Sequence, residues 1–369
     1  MKARVIVAAG GTGGGVYPAL AVADALRQEA PDVELCFVGS ADGMERELVA
    51  RSGLGLPFEG VSAGPLHGVG LRQALVSAVR LARGLVQSLG LVGRFKPGAV
   101  FLTGGWASVP VAVAAWLRRV PVVAFVPDIE PGLALKVVGR IARRVAAAVP
   151  DTARFFPAGK VVDTGYPLRR EVLGATRADA VAHFGLDPDR QTLLVFGGSR
   201  GARNINRALS AALPDLLRDG VQVLHISGTL DWPEVEAQRA ALSEAERAHY
   251  HAFPYLHDDM GLALAAADLA VSRAGAGTLG EFPYFGLPSV LSPLAFAWRY
   301  QQVNADWLAS RGAAVCLDDA TLAETLLPTV RALLGDPDRL QAMRARARAL
   351  ARPDGARNVA REVLGVMTT

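Results

Sequence analysis

The stretch Val5-Ile6-Val7-Ala8-Ala9-Gly10-Gly11-Thr12-Gly13-Gly14-Gly15, followed by the helix-like Pro18-Ala19-Leu20-Ala21-Val22-Ala23-Asp24-Ala25-Leu26, decides the fold. An apolar strand, a tight glycine turn and a helix start, in that order, make a cradle for an anion. Backbone N–H groups at a helix start have no intrahelical partner, and the positive end of the helix dipole faces whatever leaves the turn. Glycine permits positive φ and lets a ligand approach the backbone closely. The ligand expected here is a phosphate or another oxyanion, of a kind the turn alone leaves open.

The same rhythm continues outward. Apolar β-like runs alternate with helical patterns at 5–9, 34–38, 100–103, 122–126 and 146–149, and again at 193–196, 221–226, 269–272, 289–291 and 314–317. Strands buried on both faces of a parallel sheet read as near-continuous apolar runs, and their alternation with helices marks such sheets. The expected fold is therefore α/β, with two Rossmann-like domains, each opened by a glycine-rich strand-to-helix turn. Gly165 and Pro167 interrupt the pattern and place the expected join. This predicts a first domain over 1–163, a second over 164–340, and a C-terminal helix over 341–369 that packs back on the first. The uncharged stretch Ala99–Leu117 approaches the length of a membrane span. Gly104, Gly105 and Pro110 within it instead predict a strand, a turn and a buried helix.

With 369 residues, 51% hydrophobic and 20% charged, the chain is long enough for two domains and too apolar to be disordered. Cys36 and Cys316 lie far apart in strand-like runs, so two buried thiols are expected rather than a disulfide or a metal site. No basic segment followed by an apolar one opens the chain, and no cleaved signal peptide is expected. Charge is uneven: 18 Lys+Arg against 12 Asp+Glu give +6 over residues 1–166, and 21 against 23 give −2 over 167–369. A basic first half suits an anionic membrane surface or a polyanionic substrate.

Five glycine turns follow strands: Gly10–Gly15, Thr103–Trp106, Gly165–Arg169, Gly197–Arg203 and Ser272–Glu281. Ligands of open parallel sheets sit beyond the carboxyl ends of the strands, so five such turns predict a long ligand in a cleft between domains. A dinucleotide would need an acid ending the second strand to hold its ribose. That strand, Glu34-Leu35-Cys36-Phe37-Val38-Gly39-Ser40, ends in serine, which argues against a nicotinamide enzyme. A different acid, Glu281, follows the turn Arg273–Gly280 near a helix start. It is placed either to accept both hydroxyls of a ribose or to complement the helix dipole. Gln301, Gln302 and Asn304 are amides suited to directional bonds with sugar hydroxyls.

These motifs, together with Gly-Gly-Thr-Gly-Gly at 10–14, Pro18–Ala23, Thr103–Pro110, Gly165–Arg169, Gly197–Arg203, His225–Gly228, Asp258-Asp259-Met260, Arg273–Ala276 and Gln301 with Asn304-Ala305, fall in the order of the MurG family. The chain resembles that family along almost its whole length. The resemblance implies a two-domain GT-B fold and an inverting, metal-independent transfer of N-acetylglucosamine from UDP-GlcNAc. The acceptor would be the undecaprenyl-pyrophosphoryl-muramyl-pentapeptide of peptidoglycan synthesis (lipid I to lipid II). The setting would be peripheral, at the cytoplasmic face of the bacterial plasma membrane. No cofactor and no nucleic-acid partner are expected.

By the same resemblance the C-terminal domain would bind the donor. Ser199 would contact the diphosphate and Arg169 neutralise it, and the backbone near His257 would read uracil. The turn Ala276-Gly277-Thr278-Leu279-Gly280 would line the donor site, with Ala276–Thr278 on phosphate, and Glu281 would hold the ribose. Gln301 and Gln302 would orient the sugar hydroxyls, while Thr12, Gly13 and Gly14 would cradle the acceptor pyrophosphate. Two departures fall on the acceptor side. The family usually has His after Gly-Gly-Thr-Gly-Gly, where this chain has Gly15, and His-Glu-Gln-Asn where it has Phe125-Val126-Pro127-Asp128. An inverting transfer needs one general base near the acceptor hydroxyl. Asp128 is the candidate base and Glu130 the alternate; a cap on the following helix is the other role open to Asp128.

Gly64-Pro65-Leu66-His67-Gly68-Val69-Gly70-Leu71 leads into an apolar helix bearing Arg72, Arg80 and Arg83, with Arg94 and Lys96 after it. Apolar residues beside cations suit docking on an anionic membrane surface, and an ordinary core helix is the alternative. Two other functions remain open: a related UDP-hexose:glycerolipid transferase, and a protein that binds nucleotide sugar or lipid pyrophosphate without turnover.

Overall fold

The computed structural model describes residues 3–11, 13–66, 68–198, 201–294 and 300–367. They fall into two compact units, residues 1–169 with 353–369 and residues 170–352. The first is built on β1 (Arg4–Ala8), β2 (Glu34–Ser40), β3 (Phe58–Val61), β4 (Ala99–Leu102), β5 (Val122–Val126), β6 (Arg144–Ala147) and β7 (Val161–Asp163). Their order is β3-β2-β1-β4-β5-β6-β7, and every pairing is parallel. The strand order reverses between β1 and β4, whose residues are almost wholly buried, as a sheet covered on both faces requires. Such a reversal is where open α/β sheets bind ligands.

The second unit repeats the design with β8 (Thr192–Phe196), β9 (Gln222–Ile226), β10 (Tyr250–Phe253), β11 (Leu269–Ser272), β12 (Ser289–Leu291) and β13 (Ala314–Cys316). Its parallel sheet runs β10-β9-β8-β11-β12-β13, with the reversal between β8 and β11. The α/β reading and its ten strands are thus present. The three strands not expected, β3, β7 and β10, all lie at sheet edges. An edge strand is covered less completely, so it lacks the continuous apolar run: Phe-Glu-Gly-Val in β3 and Val-Val-Asp in β7. Ala99–Leu117 forms β4, a glycine turn and the largely buried helix Ser108–Leu117.

The units join at Arg169–Arg170 and Arg352–Pro353, rather than at 163/164 and 340/341. Thr164 and Tyr166 are tied to the first unit, Thr164 Oγ1 through Ala147 O (3.1 Å) and Tyr166 edge-on to Phe125 (5.9 Å). The tail is two helices, not one. Pro337–Ala349 buries Leu340 and Met343 in the second unit's core. Pro353 cannot continue a helix across the break, and Gly355–Gly365 then packs on Gly13–Glu29 in the first unit. Arg357 and Arg361 reach Glu29 there at 3.2 and 3.0 Å. Cys36 is buried, its thiol pushed up to about 11 by burial, whereas Cys316 is only half-buried; both are free thiols.

Candidate active site

In the first unit two glycine turns meet at the sheet's reversal. A Cβ on Gly105 (φ +77°) would fall 2.2 Å from Gly10 O, so only glycine permits this approach. Thr103 Oγ1 donates to Gly15 O (2.8 Å), and Ser108 Oγ to Gly104 O (2.5 Å). Gly13 and Gly14 begin the 17-residue helix Gly13–Glu29 and present its first amides. Thr12 lies outside the described residues. Gly11 N–H donates to Glu45 Oε1 at 2.9 Å.

Asp128 follows β5, on the same carboxyl edge as both turns, and is half-buried. It does not cap the next helix: Gly132 occupies that position before Leu133–Ile141. Glu130 is engaged by Lys136 Nζ at 3.1 Å. Arg169, expected in the donor domain, belongs to the first unit. Its guanidinium lies 4.2 Å from the centre of the Tyr17 ring, on the helix that starts at Gly13.

In the second unit the turns after β8 and β11 flank the reversal. A Cβ on Gly201 (φ +76°) would fall 2.3 Å from Ser227 O, which draws the turn against the end of β9. Ser199 lies outside the described residues. After β11 a 3-10 turn spans Ala276–Leu279, and Gly280 caps the helix Glu281–Phe285. Thr278 N–H is taken by Gly275 O (3.0 Å) and its hydroxyl donates to the same oxygen (2.7 Å). The amides at the open start of the turn are therefore those of Ala276 and Gly277. The Glu281 carboxylate folds back beside them, with Oε2 only 3.0 Å from where a Gly277 Cβ would lie.

The amides of the helix Tyr300–Ser310 divide their tasks. Buried Asn304 donates to Ala274 O (3.1 Å) and so braces the turn. Gln301 Oε1 accepts from Leu294 N–H (2.9 Å), and exposed Gln302 bonds Asp306 (2.8 Å). His257 is exposed, its ring edge-on to Tyr255 at 4.5 Å.

Sequence reasoning missed two braces. Arg273 and Asp319 form a nearly buried ion pair that Ser292 Oγ (3.0 Å) and Asn204 Nδ2 (2.7 Å) join. It links the ends of β11, β12 and β13 to the helix Arg203–Arg218. Burial raises the Asp319 carboxyl, but the Arg273, Asn204 and Ser292 hydrogen bonds outweigh it and hold the group below its usual range. The other brace is a buried chain. His225 bonds Tyr250 OH (2.8 Å) and Asn206 Oδ1 (3.0 Å), and Asn206 and Arg203 meet Asp231 (2.8 and 3.1 Å). Burial pushes the His225 imidazole down to about 3, partly offset by Asp231, so it is neutral and structural. Neither bracing role had a local signal, because each joins segments distant in sequence that only the folded sheet brings together.

The helix Leu71–Phe95 inverts the usual burial pattern. Ser77, Gly84 and Ser88 face inward, while Leu71, Leu75, Val79 and Val86 are 63–80% exposed. A Cβ on Gly84 would fall 2.1 Å from Ser62 O. Pro65, Leu71, Arg72, Val76, Ser77 and Arg80 line a groove of about 520 Å³ at its start. By length and composition this helix is apolar enough to cross a membrane. His67 lies outside the described residues.

Residues 5–147 match the glycosyltransferase family 28 N-terminal domain, and residues 192–359 its C-terminal domain. A Roseiflexus protein named UDP-N-acetylglucosamine–N-acetylmuramyl-(pentapeptide) pyrophosphoryl-undecaprenol N-acetylglucosamine transferase is 39% identical, over 97% of this chain and 93% of its own. Proteins of the same name from Desulforudis audaxviator (39% identical, 95% of each chain) and Listeria welshimeri (34% identical, 99% of each chain) are similar throughout. The crystal structure of Acinetobacter baumannii MurG aligns with a TM-score of 0.77 at 28% identity, covering 98% of this chain and 99% of that one. Two parallel sheets with glycine turns at their reversals, together with the family matches over both units, make the chain a GT-B glycosyltransferase. Within that class, the chain belongs to glycosyltransferase family 28 and, inside it, to the MurG family.

Proposed function

We propose that the protein transfers N-acetylglucosamine from UDP-GlcNAc to the lipid-linked muramyl-pentapeptide, converting lipid I to lipid II, with inversion and without a metal. The observation that carries this is the turn after β11, where the Ala276 and Gly277 amides and the Glu281 carboxylate stand together. An anion site beside a carboxylate suits a nucleoside diphosphate, the amides taking phosphate oxygens and the acid a ribose hydroxyl. Gln301 and Gln302 orient the sugar, Ser199 contacts the diphosphate, and the backbone near His257 reads the base.

The acceptor pyrophosphate belongs to Thr12, Gly13 and Gly14 in the first unit. The acceptor hydroxyl attacks the anomeric carbon while the C1–O bond to UDP breaks, and the electron pair leaves with the β-phosphate. Asp128 takes the hydroxyl proton as general base. Amides and helix starts take the charge on the leaving diphosphate. A single displacement from the opposite face inverts the anomeric centre.

The protein works peripherally on the cytoplasmic face of the plasma membrane. Leu75 and Val79, with Arg72 and Arg80, meet anionic lipid, while the inward stripe of Ser77, Gly84 and Ser88 keeps the helix packed on its own unit. Transfer to lipid I in the presence of EDTA, with the new linkage assigned by NMR, tests the proposal. An inverted linkage formed in chelator is expected. A retained configuration refutes inversion, and loss of transfer on chelation refutes metal independence.

A further inference from the structure

We propose that Glu45 is a positioning residue for the acceptor site. Its carboxylate fixes the Gly10–Gly15 turn by taking the Gly11 N–H, so that a ligand phosphate meets the amides from Gly13 onward. This rests on the assignment of that turn to the acceptor pyrophosphate.

Glu45 is 1% exposed, and Oε1 accepts from Gly11 N–H at 2.9 Å. Among the described residues, Oε2 is buried with no hydrogen-bond partner. Burying a carboxylate this way is costly without full pairing, yet the surrounding backbone is shaped to admit it. A Cβ on Gly43 would fall 1.7 Å from Oε2, one on Gly39 2.8 Å from Glu45 Cβ, and one on Gly10 3.3 Å from Oε1. Three glycines, Gly39 in β2 and Gly10 and Gly43 in two loops, thus open a niche for one side chain.

The niche serves the turn rather than a ligand, because the carboxylate is closed off from solvent. Gly11 has φ +98°, where L side chains are strained, and its amide is given a defined acceptor. A charged acceptor makes a stronger N–H bond than a neutral one. Gly10, next to it, is gripped from the other side by Gly105. The turn is held at two consecutive residues, which leaves the helix start beyond it as the open end. Glu45 follows β2 by five residues, near where a dinucleotide fold would place a ribose-binding acid, but here the acid points inward.

The test is steady-state kinetics of the full-length enzyme with both substrates varied. Glu45→Ala is expected to raise the lipid I KM about tenfold, the loss of one hydrogen bond to a charged group, with the UDP-GlcNAc KM unchanged. Glu45→Gln, whose carbonyl can accept the same N–H, is expected to restore most of that loss. Glu45→Asp, one methylene shorter, gives the same loss where the alanine variant fails to fold. An unchanged lipid I KM in both Glu45→Ala and Glu45→Asp, an equal rise in both substrates' KM, or a Glu45→Gln variant as impaired as Glu45→Ala would each overturn the proposal. Gly11→Ala separates it from the assignment beneath it. If Gly11→Ala raises the lipid I KM and Glu45→Ala does not, Glu45 alone is wrong. If Gly11→Ala has no effect, the pyrophosphate assignment fails and the proposal with it.

Discussion

Each unit sets one acid against a glycine turn, and the two acids differ in what they can reach. Glu45 is sealed in the first unit with one oxygen on a turn amide. Glu281 is half-buried at a helix start, its carboxylate lying beside the open amides of its turn. The same elements, strand, glycine turn, helix start and acid, thus differ in access: one carboxylate is sealed against its turn, and the other lies half-buried beside its own. The proposed roles follow that difference, a backbone brace for Glu45 and a ligand contact for Glu281.

The largest effect expected is on the first unit's other acid. Asp128→Asn should lower kcat by about 10²–10⁴-fold, the usual contribution of a general base, with the UDP-GlcNAc KM little changed. Near-normal turnover would break the division of roles at its catalytic end. Glu281→Ala should come next, raising the UDP-GlcNAc KM by about 10–100-fold for one or two hydrogen bonds to a charged group. The lipid I KM should stay put; an equal rise in both would mean that Glu281 does not act on the donor site alone.

A smaller contrast concerns surfaces. Leu75→Glu combined with Val79→Glu should reduce sedimentation with anionic vesicles about tenfold through charge repulsion and lost apolar contact. Unchanged sedimentation would remove this helix from the membrane. A separate effect concerns acid. Every described histidine lies in the second unit, and His225 is held near 3 there against 6.5 when unfolded. The unfolded chain then binds the extra proton, so this contribution to stability is full above pH 6.5 and falls as pH drops toward 3. The loss is about 1.4 kcal/mol per pH unit within that window. Unfolding of wild type and His225→Phe at about pH 7 and about pH 5 should show a shallower loss in the variant; equal losses would contradict it.

The contrast between the units also explains what was legible in the sequence. Val5–Gly15 and Ser272–Glu281 could be read because a buried parallel strand is apolar throughout and a tight turn needs glycine, both local demands. Edge strands such as Phe58–Val61 face weaker demands and were missed. The roles of Glu45, Asp319 and His225 were missed for another reason, although His225 stands in a motif. Each acts on residues at least 19 positions away, Glu45 on Gly11, Asp319 on Arg273 and His225 on Asn206, so only the folded sheet supplies their meaning. Arg169 was visible as a motif residue, but its side of the join depended on its stacking on Tyr17.

The most direct test gives the full-length protein labelled UDP-GlcNAc with lipid-linked muramyl-pentapeptide and diacylglycerol in the same vesicles. Label is expected to move to the muramyl lipid alone. Transfer only to the glycerolipid would contradict the proposed acceptor, and UDP-GlcNAc binding with no transfer to either lipid would contradict turnover itself.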